Sequence, residues 1–146
     1  MWSLFRHKKS SNTPAKTVQR NQAKIRNGQL GQDIAERYLL KQGLKLIERN
    51  VRWHDKGYRG EIDLIMTDKK TLVFVEVKSR RSTQFGSAVS AVGPAKQKQL
   101  SRLAMRYLHE KASFDREARF DVIGITFSDS SAPIIDWISN AFDLIS

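Results

Sequence analysis

Three carboxylates and an amine stand where strand sequences seldom carry them. Gly60-Glu61-Ile62-Asp63-Leu64-Ile65-Met66 is followed, after a short polar break, by Thr71-Leu72-Val73-Phe74-Val75-Glu76-Val77-Lys78. Glu61, Asp63 and Glu76 are set among branched apolar residues, with Lys78 two positions beyond the last acid. Gathered carboxylates repel one another, and a hard divalent cation turns that repulsion into affinity, since Mg²⁺ binds through one or two carboxylates, water and phosphate oxygens. The competing reading is a solvated charged face on which Lys78 neutralises a neighbour.

Both runs read as the strands of a hairpin. A turn centred on Asp68-Lys69 predicts Met66 opposite Thr71, Asp63 opposite Phe74 and Glu61 opposite Glu76, with Asp63 diagonal to Glu76. Side chains alternate along a strand. Ile62, Leu64 and Met66 should therefore share one face with Val73, Val75 and Val77. The other face gathers Glu61, Asp63, Glu76 and Lys78 beside Ile65, Leu72 and Phe74. A slip of one residue would split the acids and the apolar set together. Apolar residues on both faces favour a strand pair buried on much of its surface, which weighs against fully solvated acids.

The flanking elements must hold this hairpin. Residues 28–42 predict a helix closed by Gly43, with Leu30, Ile34, Ala35, Tyr38 and Leu39 on one face. Gln32 lies at the border of that face, either as an ordinary first-turn residue or at a site's edge. Glu36 points away, and Gly31 would let a neighbouring backbone come close. Residues 44–51 predict a strand. In the following Arg52-Trp53-His54-Asp55-Lys56-Gly57-Tyr58-Arg59, cations alternate with aromatics. Such a loop suits nucleic acid, through base stacking and phosphate contacts, or it is a turn with Trp53 folded onto the core.

A second helix is predicted from Pro94 to about Glu110, with Leu100, Leu103, Ala104, Tyr107 and Leu108 as its apolar stripe. Lys96 and Gln97 continue the stripe, whereas Lys98, Arg102 and Arg106 point outward. Near a helix N-terminus Lys96 would attract phosphate; equally, it could snorkel over the core edge. Residues 119–127 predict a strand in which Asp121 pairs with a nearby cation such as Arg119 or caps a loop, and residues 134–138 a last one. Asn140-Ala141-Phe142 reads as a short helical or irregular piece that packs its Phe.

The chain has 146 residues, a formal charge of +11, no cysteine and three scattered histidines. Disulfides and thiolate metal sites are excluded. Residues 1–27 carry Arg6, Lys8, Lys9, Lys16, Arg20, Lys24 and Arg26 without one acid, which predicts a flexible basic tail ahead of a single domain at 28–146. Such charge draws polyanions, with nucleic acid, ribosome and membrane surface all open. No signal peptide or membrane span is legible, so the expected location is the cytoplasm.

GEIDLI (60–65) followed by VFVEVKSR (73–80) resembles the YraN-like family of uncharacterised bacterial proteins, usually described as predicted endonucleases. The resemblance spans roughly 28–142 and includes Gly28, Gly31, Ala35, Tyr38-Leu39, Asn50, Arg52, Phe85-Gly86, Lys96, RFDV (119–122) and Asn140-Ala141-Phe142. That family in turn resembles the restriction-endonuclease-like fold, with the Asp…(Asp/Glu)-x-Lys signature of archaeal Holliday-junction resolvases. The resemblance implies an α/β fold with a central mixed β-sheet flanked by helices. Asp63, Glu76 and Lys78 fall on the signature, and a Mg²⁺ or Mn²⁺ ion would be held by Asp63, Glu76 and the Val77 carbonyl. Lys78 would orient the attacking water, while Arg52, Arg59, Arg80, Arg81 and Lys96 would grip the phosphate backbone.

The activity so implied is metal-dependent DNA cleavage in repair or recombination, with branched DNA as a candidate substrate. Resolvase-like relatives act as dimers, although nothing in this sequence demands a homodimer. Related proteins commonly carry Glu where this chain has Gln32, which brings no charge; Glu61 is the acid available to compensate. A nucleic-acid-binding module with a degenerate site, and an adaptor docking through its tail, are the alternatives.

Overall fold

The computed structural model describes residues 13–55, 57–81 and 87–145. Helix α1 (Thr13–Lys41) leads into strands β1 (Lys45–Trp53), β2 (Gly60–Asp68) and β3 (Thr71–Arg81). A 3₁₀ turn (Val89–Ala91) and helix α2 (Pro94–Glu110) cross over to β4 (Ala118–Phe127), followed by β5 (Ile134–Phe142). The strands lie side by side in chain order, β3 and β4 parallel and the other neighbours antiparallel. This is the expected α/β architecture, a mixed restriction-endonuclease-like sheet flanked by helices.

Alternation along the central strands makes the layers. Leu72, Phe74, Phe120 and Val122 pack with Leu100, Leu103, Ala104 and Tyr107 of α2, while Val73, Val75, Ile123 and Ile125 pack with Ala35 and Leu39 of α1. Leu30, expected on the covered face of α1, is 49 % exposed, because cover begins at Gly31. A Cβ on Gly31 would lie 1.9 Å from Ser79 Oγ, so this glycine lets α1 rest on β3. Gly43 closes the helix region in the left-handed conformation, φ +99°.

The helix starts earlier than its sequence suggests. Residues 13–27, read as flexible tail, continue α1 as helix, and Lys16, Arg20 and Arg26 are exposed along it. Gln, Lys, Arg and Ala are good helix formers. Extending a helix already docked at its C-terminal half avoids the cost of nucleation. Residues 1–12 of the predicted tail, and Phe85-Gly86 of the family motif, lie outside the described residues.

The hairpin register differs by two residues from the expected one. Asp68 pairs with Thr71, Met66 with Val73, Ile65 with Phe74 and Leu64 with Val75, so the turn is Lys69-Lys70 with Lys69 at φ +55°. A shift of two preserves the faces, but Glu61 does not oppose Glu76; it opposes Arg52 of β1. Ile62, expected on one face with Leu64 and Met66, instead joins the α2 cluster with Val51 and Trp53, while Leu64 and Met66 pack under α1. Alternation breaks at Asp63, between the pairs Arg49–Leu64 and Val51–Ile62, where Asn50 of β1 takes φ +50°. Asn tolerates that conformation better than most residues.

Two further elements are longer than expected. Strand β1 runs on through Arg52 to Trp53, whose ring is buried and whose Nε1 donates to Glu110 Oε1 at 3.3 Å. Strand β5 continues to Phe142, replacing the expected helical piece, with Asn140 at φ +52° beside a register shift. Phe142 does pack, stacked on Phe120 at 4.7 Å between centroids.

Candidate active site

The break at Asp63 is what forms the site. Continued by one residue, the β2–β3 register would set Asp63 opposite Glu76, yet backbone pairing ends at Leu64–Val75. The side chain substitutes for the ladder: Asp63 Oδ2 accepts the Val77 N–H at 2.8 Å. Its other oxygen accepts from Gln32 Nε2 of α1 at 3.2 Å. Where the strands part, a cleft of about 600 Å³ opens, lined by Gly28, Gln32, Asp63, Glu76, Lys78, Ser79, Arg80, Arg81 and Phe127.

Glu76 is only 6 % exposed. Its Oε1 lies 3.4 Å from Lys78 Nζ and 3.6 Å from Lys96 Nζ, the latter reaching over from the first turn of α2. Its Oε2 is buried without a hydrogen-bond partner among the described residues. An unpaired buried carboxylate oxygen is costly, roughly 1–3 kcal/mol or more for a charged group. Burial, then the proximity of Glu76, pushes the Asp63 carboxyl up to about 7. The Val77 N–H pulls the other way, Glu61 adds to the rise, and Lys96 opposes it. Two crowded acids, one with its carboxyl pushed well above the usual range and the other with an orphaned oxygen, match the donor set of a hard divalent cation.

Not every candidate arrives here. Glu61 forms an ion pair with Arg52 at 2.6 Å and does not line the cleft. It therefore does not stand in for a third carboxylate, and Arg52 is engaged by it. Arg59 lies beside α2, away from the cleft. Arg80 and Arg81 line the cleft wall, with Arg80 Nε donating to Thr126 Oγ1 at 3.3 Å. Among the described residues, no three His, Asp or Glu side chains converge into a cation site by themselves. Glu36 points away as expected, paired with Arg49 at 2.7 Å.

Asp121 is structural. Wholly buried, it accepts from Arg119 Nε at 2.9 Å, Trp137 Nε1 at 3.0 Å and the Asn140 N–H at 2.9 Å. The Lys96–Glu76 contact is the feature that sequence reasoning missed. Its only signal was a lysine on the inward stripe of α2.

The model of the uncharacterised protein family UPF0102 matches residues 31–125. The chain belongs to UPF0102. A UPF0102 protein of Geobacter sulfurreducens is 45 % identical over 117 residues, covering 80 % of this chain and 88 % of the relative. One of Marinobacter nauticus is 46 % identical over 114 residues, 78 % and 89 % of the two chains. One of Colwellia psychrerythraea is 40 % identical over 129 residues, 87 % and 96 %. The UPF0102 match takes in Gln32, Asp63, Glu76, Lys78 and Lys96, and β4 as far as Ile125. No helix among the described residues is long and apolar enough to cross a membrane.

Proposed function

We propose that this UPF0102 protein is a metal-dependent nuclease that hydrolyses DNA phosphodiesters in the Asp63–Glu76 cleft. The orphaned Glu76 Oε2, in one cleft with the raised Asp63 carboxyl, carries the reading. Asp63, Glu76 and the Val77 carbonyl would hold Mg²⁺ or Mn²⁺. When bound, the cation supplies Lewis-acid polarisation of a phosphoryl oxygen and a more acidic water.

The chain's own groups do the rest. Lys78 Nζ, at the cleft edge 3.4 Å from Glu76, orients the attacking water and offsets charge growing on the phosphoryl oxygens. Lys96 adds a second ammonium at the same carboxylate. Arg80 and Arg81 hold neighbouring phosphates without reading bases. Hydrolysis forms one P–O bond to water and breaks one ester P–O bond, with the water proton passing to solvent and the leaving oxygen taking one up. Branched DNA is the candidate substrate.

A second reading is a nucleic-acid-binding module or adaptor without chemistry. The Gln32 amide favours it, donating to Asp63 where an added carboxylate would complete a stronger cation site. Incubation with linear, single-stranded and branched DNA in Mg²⁺ or Mn²⁺ separates the two. A nuclease cleaves at least one of these substrates, and Asp63→Ala abolishes cleavage while keeping affinity. Binding to all three with none cut leaves the second reading.

A further inference from the structure

A second cation-lined groove lies beside α2, outside the cleft. Residues 57–59 of the β1–β2 connection face Lys98, Gln99 and Arg102 across about 380 Å³. Among the described residues its cations are Arg59, Lys98 and Arg102, and no Asp or Glu lines it. Arg59 and Lys98 are exposed, and neither makes an ion pair among the described residues.

The groove is preformed. Gln99 Nε2 donates to the Arg59 carbonyl at 2.8 Å, and Arg102 donates to the Gly57 carbonyl. The guanidiniums of Arg102 and Arg106 lie over the Tyr58 ring, 5.5 and 4.8 Å from its centroid. Asp55, an acid of the same connection, is taken by Arg106 at 3.2 Å. The connection is thus clamped to α2 by contacts that leave Arg59 and Lys98 unspent. With the Tyr58 ring already occupied by guanidiniums, the groove offers charge rather than a stacking face, which suits phosphates better than bases.

Helix α2 borders both the groove and the cleft. Lys96, which reaches Glu76, and Arg102 stand on the same helix, about 9 Å apart along an axis rising about 1.5 Å per residue. We propose that this groove binds the phosphate backbone of the nucleic acid flanking the segment held in the Asp63–Glu76 cleft. The inference rests on nucleic acid being the ligand of the cleft, but not on hydrolysis.

The test is anisotropy of a labelled DNA duplex extending beyond the cleft, titrated with full-length protein in EDTA over a salt series. Arg59→Ala/Lys98→Ala removes two contacts. The slope of log affinity against log salt should become shallower by about 1.8, at about 0.9 per phosphate contact, with weaker binding at every salt. Arg59→Lys/Lys98→Arg should restore the slope, and Lys98→Glu should weaken binding further than Lys98→Ala. Both side chains are exposed, and Arg59 is held to the fold through its carbonyl, so an unchanged thermal midpoint is expected. Wild-type binding with an unaltered slope in the double variant overturns the groove while leaving the cleft reading standing. A wild-type chain that binds no duplex overturns the groove, and one that also binds neither single-stranded nor branched DNA overturns the cleft reading with it.

Discussion

Replacing Asp63 by Asn should stabilise the metal-free protein at alkaline pH. The Asp63 carboxyl, ordinarily near 3.8, is pushed up to about 7, chiefly by burial and then by Glu76. Between those values the folded chain keeps a proton that the unfolded chain has lost. Stability from this group is therefore complete below about pH 4 and is lost as pH rises through about 7. An interval of about 3 pH units at about 1.36 kcal/mol each gives at most about 4 kcal/mol. Asn removes that penalty and keeps the main contacts: its carbonyl can accept the Val77 N–H, and a turned Gln32 amide can accept from its NH₂. Urea unfolding in EDTA should find Asp63→Asn more stable than wild type near pH 8, with the gap closing toward about pH 4. An Asn variant less stable near pH 8, or a difference that ignores pH, would refute this account of the cleft's electrostatics.

Other perturbations probe the same structure. Gln32→Glu places a third carboxylate against Asp63, 3.2 Å from the present amide nitrogen, and should tighten Mn²⁺ binding while lowering metal-free stability near neutral pH; titration calorimetry and urea unfolding read the two effects. Gly31→Ala drives a Cβ onto Ser79 and should destabilise by about 1–3 kcal/mol, with Gly31→Ala/Ser79→Gly less damaging than the sum of its parts in a double-mutant cycle. Asp121→Ala leaves Arg119, Trp137 and the Asn140 N–H without their acceptor and should cost about 3–5 kcal/mol in unfolding free energy. Duplex affinity of the folded Asp121→Ala protein should stay near that of wild type.

The site's location could be read from sequence because the signal was local: acids among branched residues at period two, with one break between strands. Its detailed geometry could not. The turn fell on Lys69-Lys70, a pair without the glycine or asparagine that usually marks a tight hairpin. Left-handed backbone at Asn50 and Asn140 lets β1 and β5 run on where loops were expected, and asparagine was the available clue at each. Glu61 looked like a site acid until strand pairing set it against Arg52. The contact of Lys96 with Glu76 could not be read because the two lie on different elements, and only the crossover by α2 brings them together. Helix 13–27 was masked by its charge, since composition registers the missing apolar face more strongly than helix propensity.

The most direct measurement is calorimetric titration of Mn²⁺ into wild-type protein and into Glu76→Gln. Asp63, Glu76 and the Val77 carbonyl as a cation site predict one saturable site in wild type that vanishes in the variant, with both proteins equally folded by circular dichroism. Equal binding in the two proteins, or none in wild type, would contradict it.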